Sequence, residues 1–145
     1  MISFFKENTT FDIKQKNKIK SWLKNVASGY GFSAGDLNYV FCDDEYLLQM
    51  NKQYLGHDYY TDIITFDSRE DALSKRLDGD IFISVDTVRV NGEEYGEGFE
   101  REIMRVIAHG LLHLIGFDDH TAAQQKKMRE AENSALAQWD TIMMS

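Results

Sequence analysis

Apolar and polar positions follow two different periods along this chain, and each change of period marks an element. Ile2 to Phe5 has strand character. From Asp12, placed to cap a helix, to Ser28, the apolar residues Ile19, Trp22, Leu23 and Val26 recur at helical spacing, and Gly29 closes the segment. Gly35 interrupts the chain before a second strand, Leu37 to Cys42. Asp43 or Asp44 then caps a helix from Glu45 to Tyr54, with Tyr46, Leu47, Met50 and Tyr54 facing inward. Strands follow from Asp62 to Phe66 and from Asp80 to Ser84, joined by the polar stretch SREDALSKRLDG, which is long for a hairpin connection. Ser84 or Asp86 caps a helix to about Glu94; glycine-rich YGEGFE leads into a strongly apolar helix. The last helix starts near Thr121 and turns Gln124, Met128, Ala131, Ala135, Trp139 and Ile142 to one side. This order predicts an α+β fold: a small mixed four-stranded sheet packed with about five helices, in one domain spanning residues 1–145.

The apolar helix carries the candidate chemistry. Between Ile103 and Ile115 only Arg105, His109 and His113 break a run of apolar or small residues. Positions four apart lie roughly 6 Å along a helix and roughly 40° round it, so these three groups form one stripe. A helix apolar on every other face is buried nearly all round. Two imidazoles one turn apart inside it are costly unless they are paired, and a metal ion pairs them without bending the backbone. Gly116 stops the helix and turns the chain back, which brings Asp118, Asp119 and His120 round as candidate third ligands. Three protein ligands leave a fourth tetrahedral position open, as catalytic zinc sites do. The expected centre is one zinc ion per chain, on a buried helix and the loop after it.

Composition narrows the setting. No apolar run reaches the length of a membrane span, and MISFFKEN lacks the apolar core of a signal peptide, so a cytoplasmic protein without membrane contact is expected. The single cysteine, Cys42, rules out an internal disulfide and a cysteine-based zinc finger. A net charge of −8 argues against a general nucleic-acid binder. The charge is uneven, however: residues 1–29 hold six lysines against Glu7 and Asp12. Lys14, Lys16, Lys18 and Lys20 form either a solvated face or a phosphate contact.

The chain has neither a phosphate-binding loop nor a G-x-S-x-G elbow, so a metal-activated water is the remaining route to catalysis, and hydrolysis the default reaction. Gly110 stands where zinc proteases of the H-E-x-x-H type carry their glutamate base, which disfavours a peptidase; Asp118 is a weak substitute. The run EREIMRVIAHGLLHLIGFDDHT resembles the signature of the YbeY family, bacterial metal-dependent single-strand endoribonucleases of ribosomal RNA maturation and ribosome quality control. MNKQYLGHDYYTDIITF and GDIFIS resemble two further blocks of that family, in its order. The resemblance implies an RNA substrate, ribosomal partners and metal ligation by His109 and His113. The family register assigns the third ligand to Asp119, while an imidazole donor would favour His120. Leu55 stands where many members have arginine, and Glu97 where they often have histidine. Arg105 is therefore either a replacement phosphate contact or the partner of a buried acid; Lys14 and Lys18 are further substrate candidates, and His57 is read as a loop residue. The alternatives are a zinc metalloprotease or other zinc hydrolase, and a non-catalytic ribosome-associated protein whose metal is structural.

Overall fold

A computed structural model describes residues 1–144. Its strands are β1 (Ile2–Glu7), β2 (Ser33–Cys42), β3 (Ile63–Asp67) and β4 (Arg76–Ser84). Its helices are α1 (Lys16–Gly29), α2 (Asp44–Met50), α3 (Val85–Glu94), α4 (Phe99–Ile115) and α5 (Ala122–Met143). The sheet order is β1-β2-β4-β3, with β1, β2 and β4 parallel and β3 antiparallel at the edge. The α+β class, the mixed four-stranded sheet and the five helices are as the periodicity predicts.

Helix α4 is the centre of the packing. From Glu102 to Leu112 every residue except His109 is buried, against the sheet on one side and α1, α3 and α5 on the others. Two long-range hydrogen bonds tie this core together. The Tyr39 hydroxyl donates to the Ile107 carbonyl at 2.9 Å, and the Trp22 indole donates to the Ala135 carbonyl at 2.7 Å. Gly110 marks the closest approach of α4 to the sheet: a Cβ there would lie 2.9 Å from Ile81 Cγ2 and 3.1 Å from Ile63 Cδ1. A larger side chain at this position, the glutamate of the protease pattern included, would have to displace Ile81 or Ile63.

Several boundaries differ from the expected ones. Helix α1 begins at Lys16 after Gln15, whose φ is 60°, and Asp12 pairs with Lys6 at 2.9 Å instead of capping. In the segment before the helix, Phe11 packs edge-on against both Phe41 and Phe99. Strand β2 starts at Ser33, because Gly35 tolerates the close approach of Arg76 and Asp78 at a bulge between Ala34 and Leu37. Strand β4 likewise starts early, which shortens the β3–β4 loop to residues 68–75. Arg69 fastens that loop, donating to Asp67, to the Ser74 carbonyl and to the Leu114 carbonyl at the end of α4. Asp43 caps α2 and Ser84 caps α3. Beyond Met50 a π turn, Asn51–Leu55, adds a residue to the winding, so Leu48 and Asn51 are buried while Tyr54 points outward. Thr121 and Gln124 form a reciprocal capping box at the start of α5.

The contact at Gly110 sets an expected outcome. Gly110→Ala forces apart the stiff, branched Ile81 and the helix, an overpacking cost of about 1–3 kcal/mol that exceeds the roughly 1 kcal/mol gained in helix propensity. Urea denaturation of the variant should therefore give a lower midpoint with an unchanged slope.

Candidate metal centre

His109 and His113 leave α4 on the side that faces the loop 117–120. That loop is set by the helix stop: Gly116, at φ 130°, donates to the His113 carbonyl, and Phe117 donates to the Leu112 carbonyl at 3.0 Å. The Phe117 ring packs edge-on against Tyr30, just after α1, and the Gln125 amide donates to the Asp119 carbonyl at 3.1 Å. With its backbone held at both ends, the loop puts the Asp119 carboxylate between the imidazoles. Oδ2 lies 3.4 Å from His109 Nε2, and Oδ1 lies 3.5 Å from His113 Nε2.

Those separations suit a shared ion. A tetrahedral zinc with ligands at about 2.0–2.1 Å holds neighbouring ligand atoms about 3.3–3.4 Å apart, whereas a direct charge-assisted hydrogen bond is about 2.7–2.9 Å. One ligand atom from each of the three residues falls within 4.8 Å of the others, and the donor set of two imidazoles and one carboxylate is one that zinc accepts. Asp119 is thus the third member of a cluster that could hold an ion, while His120 lines the same groove outside that cluster. Asp118 is exposed and lines neither cavity at the histidines. His57 lies in the loop before β3, outside the cluster.

A layer of charge behind the cluster orients it, and here the sequence reading falls short. Glu132 of α5 accepts from His109 Nδ1 at 2.7 Å, which leaves the Nε2 lone pair facing Asp119. Arg105, one turn before His109, donates to Glu132 at 3.2 Å, to Asn133 at 2.9 Å and to Glu97 at 3.3 Å. The guanidinium is thus engaged by carboxylates on two sides, and Glu97 is one of them. Nothing in the spacing of residues 105, 109 and 132 reveals this arrangement, although Glu132 lies on the same helix as the predicted inward face. Asp62, just before β3, lines both cavities that meet at His109. The lysines are placed elsewhere. Lys14 lines a separate cleft with Phe99, Met104 and Trp139, and Lys18 is half-exposed on α1.

Burial acts first on every titrating group here. It would lower the pKa of His109, but the hydrogen bond and charge of Glu132, with Asp62 and Asp119, outweigh it and raise the group overall. His113 has no such carboxylate behind it; burial and then the neighbouring His109 hold it below the ordinary histidine value. Asp62 is raised by burial, against the pull of His109. Glu102 is 3% exposed and pushed up to about 7, chiefly by burial, with Arg105 opposing. Its Oε1 and Arg105 Nε, 3.9 Å apart, are both buried without a hydrogen bond.

Fold and cluster together define an α+β protein with a two-histidine, one-carboxylate centre able to hold a metal ion in an open groove. The sequence model of the family described as Endoribonuclease YbeY matches residues 2–140. The chain belongs to that family. It is 52% identical to Endoribonuclease YbeY of Bacteroides thetaiotaomicron, over 87% of this chain and 89% of the relative. It is 47% identical to the protein of the same name from Cytophaga hutchinsonii, over 94% of each. The solution structure of TM1509 from Thermotoga maritima shares the fold, with a TM-score of 0.64 at 23% identity, covering 97% of this chain and 93% of that one.

Two outcomes follow from this geometry. His109→Ala, His113→Ala and Asp119→Ala should each empty the site by elemental analysis while His120→Ala keeps the ion, and Glu132→Gln should weaken metal binding by about 10–100-fold. Glu102 has a folded-state pKa above its ordinary 4.5. Its ionised form is therefore disfavoured by folding, and stability falls as pH rises from 4.5 to about 7. Glu102→Gln should be more stable than the parent above pH 7, by about 3 kcal/mol, and the difference should vanish below pH 4.5 in denaturation curves.

Proposed function

We propose that this protein is a metal-dependent endoribonuclease, specific for single-stranded RNA, that acts in ribosomal RNA maturation and ribosome quality control in the cytoplasm. It works as a single hydrolase domain with one zinc ion, and its partners are RNA and the ribosome. The observation that carries the reading is the His109–His113–Asp119 cluster on the wall of an open groove, in a chain of the YbeY endoribonuclease family. Zinc bound there would acidify water and offset charge on a phosphodiester in its transition state.

The protein's own groups supply position and proton transfer. His109 and His113 would hold the ion through their Nε2 atoms, and Glu132 orients the His109 ring through Nδ1. Asp119 contributes a full negative charge, so the centre is less electropositive than a three-histidine one. Asp62 lines the same space from the residue before β3 and is the carboxylate placed to accept a proton from the attacking water at an Oδ atom. Arg105 pairs with Glu132, and its engagement by Glu97 and Glu132 favours the buried-pair role over a phosphate contact. Lys14 and Lys18 remain candidate contacts for RNA that extends beyond the groove.

The packing of Gly110 against Ile81 weighs against a metalloprotease, since the helix offers no base beside the first histidine. A purely structural metal is disfavoured by the groove that reaches the ligands from solvent. The deciding experiment is cleavage of single-stranded, duplex and peptide substrates by zinc-loaded protein, with and without chelator. Only single-stranded RNA should be cut, and chelator should abolish cutting. Asp62→Asn should keep its metal and lose about 100-fold in kcat; peptide cleavage, or RNA cleavage that survives full metal removal, would refute the reading.

A further inference from the structure

The segment between α2 and β3 carries an aromatic surface that neither the core nor the metal cluster uses. Tyr59 is 55% exposed and Leu55 43%. Exposure here does not mean a loose chain. Gly56 takes a left-handed turn at φ 67°, the His57 amide donates to the Asn51 carbonyl at 3.1 Å, and the Asn51 side chain donates to the Tyr59 carbonyl at 2.9 Å. Asn51 is itself 1% exposed, so this clamp is anchored in the body of the protein. On it the rings of His57 and Tyr59 lie nearly parallel, 19° apart in plane with centroids 5.1 Å apart, and the Tyr59 hydroxyl shares a hydrogen bond with His57 Nδ1 at 3.0 Å. Two aromatic groups are thereby ordered before any ligand arrives, which spares the ligand the cost of ordering them.

Leu55, His57 and Tyr59 line a groove of about 530 Å³ that His109, His113 and Asp119 line as well. Among the described residues, no lysine or arginine lines it, and Asp62 and Asp119 do. A polyanionic backbone finds no ion pair along these walls except at the metal. What the walls offer is π surface. Every unpaired base has a π face whatever its sequence, while a paired base keeps its faces inside the helical stack.

We propose that His57 and Tyr59 form a stacking subsite for an unpaired RNA base, on the strand whose phosphate lies at the His109–His113–Asp119 cluster. The proposal rests on the endoribonuclease reading of the same groove, and it makes the aromatic pair the element that selects single strands. Duplex RNA is refused at this subsite because its bases are already stacked. The protein recruits its substrate here by aromatic contact, in keeping with its acidic surface.

The test uses zinc-loaded full-length protein and a single-stranded oligoribonucleotide carrying the fluorescent base 2-aminopurine, whose emission is quenched on stacking. Wild-type protein should quench it. Tyr59→Ala should remove the quench and weaken binding about tenfold, with KM raised, kcat little changed and metal content intact. Tyr59→Phe should behave as wild type. So should Tyr54→Ala, whose ring packs on Phe66 and does not line the groove. If Tyr59→Ala and His57→Ala bind and quench like a wild-type protein that cleaves RNA, the stacking subsite is overturned and the endoribonuclease reading stands. A zinc-loaded wild type that neither binds nor cleaves RNA overturns that reading, and the subsite with it.

Discussion

Helix α4 is enclosed by the sheet and three helices along most of its length, so most of the polar groups on its buried stretch meet partners inside the protein. That constraint organises the rest. Glu102, Arg105, His109 and His113 stand along one stripe of a helix whose other residues from Ile103 to Ile115 are apolar or small. Ionised groups out of water are costly unless they are paired and hydrogen-bonded, and removal of one partner leaves the other charge exposed to that cost. The stripe is met by Glu97 before the helix, by Glu132 and Asn133 on α5, and by Asp119 on the loop. The long C-terminal helix is therefore more than a cover for the core. It supplies the carboxylate that turns His109 towards the groove, and through Gln125 it anchors the loop that carries Asp119.

The same crowding explains what the site lacks. Where a zinc protease would place its base, α4 touches the sheet, and only a glycine fits between the helix and Ile81. Any proton acceptor has to come from another element. Asp62, at the entrance to the edge strand β3, is the carboxylate the fold brings there. Antiparallel placement of β3 puts its start, and the aromatic loop before it, beside the histidines. Groove, acid and aromatic pair thus reach the cluster through one strand and its lead-in.

An acidic protein that acts on RNA has to solve a problem of repulsion. Its charge of −8 is concentrated away from the lysine-bearing first helix, and the groove itself holds carboxylates. In the proposed reading, a dication held at the cluster and the aromatic faces would meet both needs without a basic surface: the cation would offset one phosphate at short range, where screening by salt is weakest, and stacking is indifferent to charge.

The sequence by itself determined the features that rest on local periodicity. These are the order of strands and helices, the burial of α4, the paired imidazoles at i and i+4, and the stop at Gly116. Each follows from helix and strand geometry over a few residues. Its errors fell where a tertiary contact outweighs a local signal. Asp12 does not cap α1 because Phe11 is drawn into the core, and Tyr54 points outward because the π turn gives its place to Asn51. Two nearly equivalent loop residues, Asp119 and His120, were separable only by the path of the chain after Gly116. The partners of Arg105 and His109 lie 27 and 23 residues away, and the choice of Glu132 depends on how α5 is set across α4. Spacing along a chain reports which side chains share a face of one element; which faces then meet is decided by the packing of the whole.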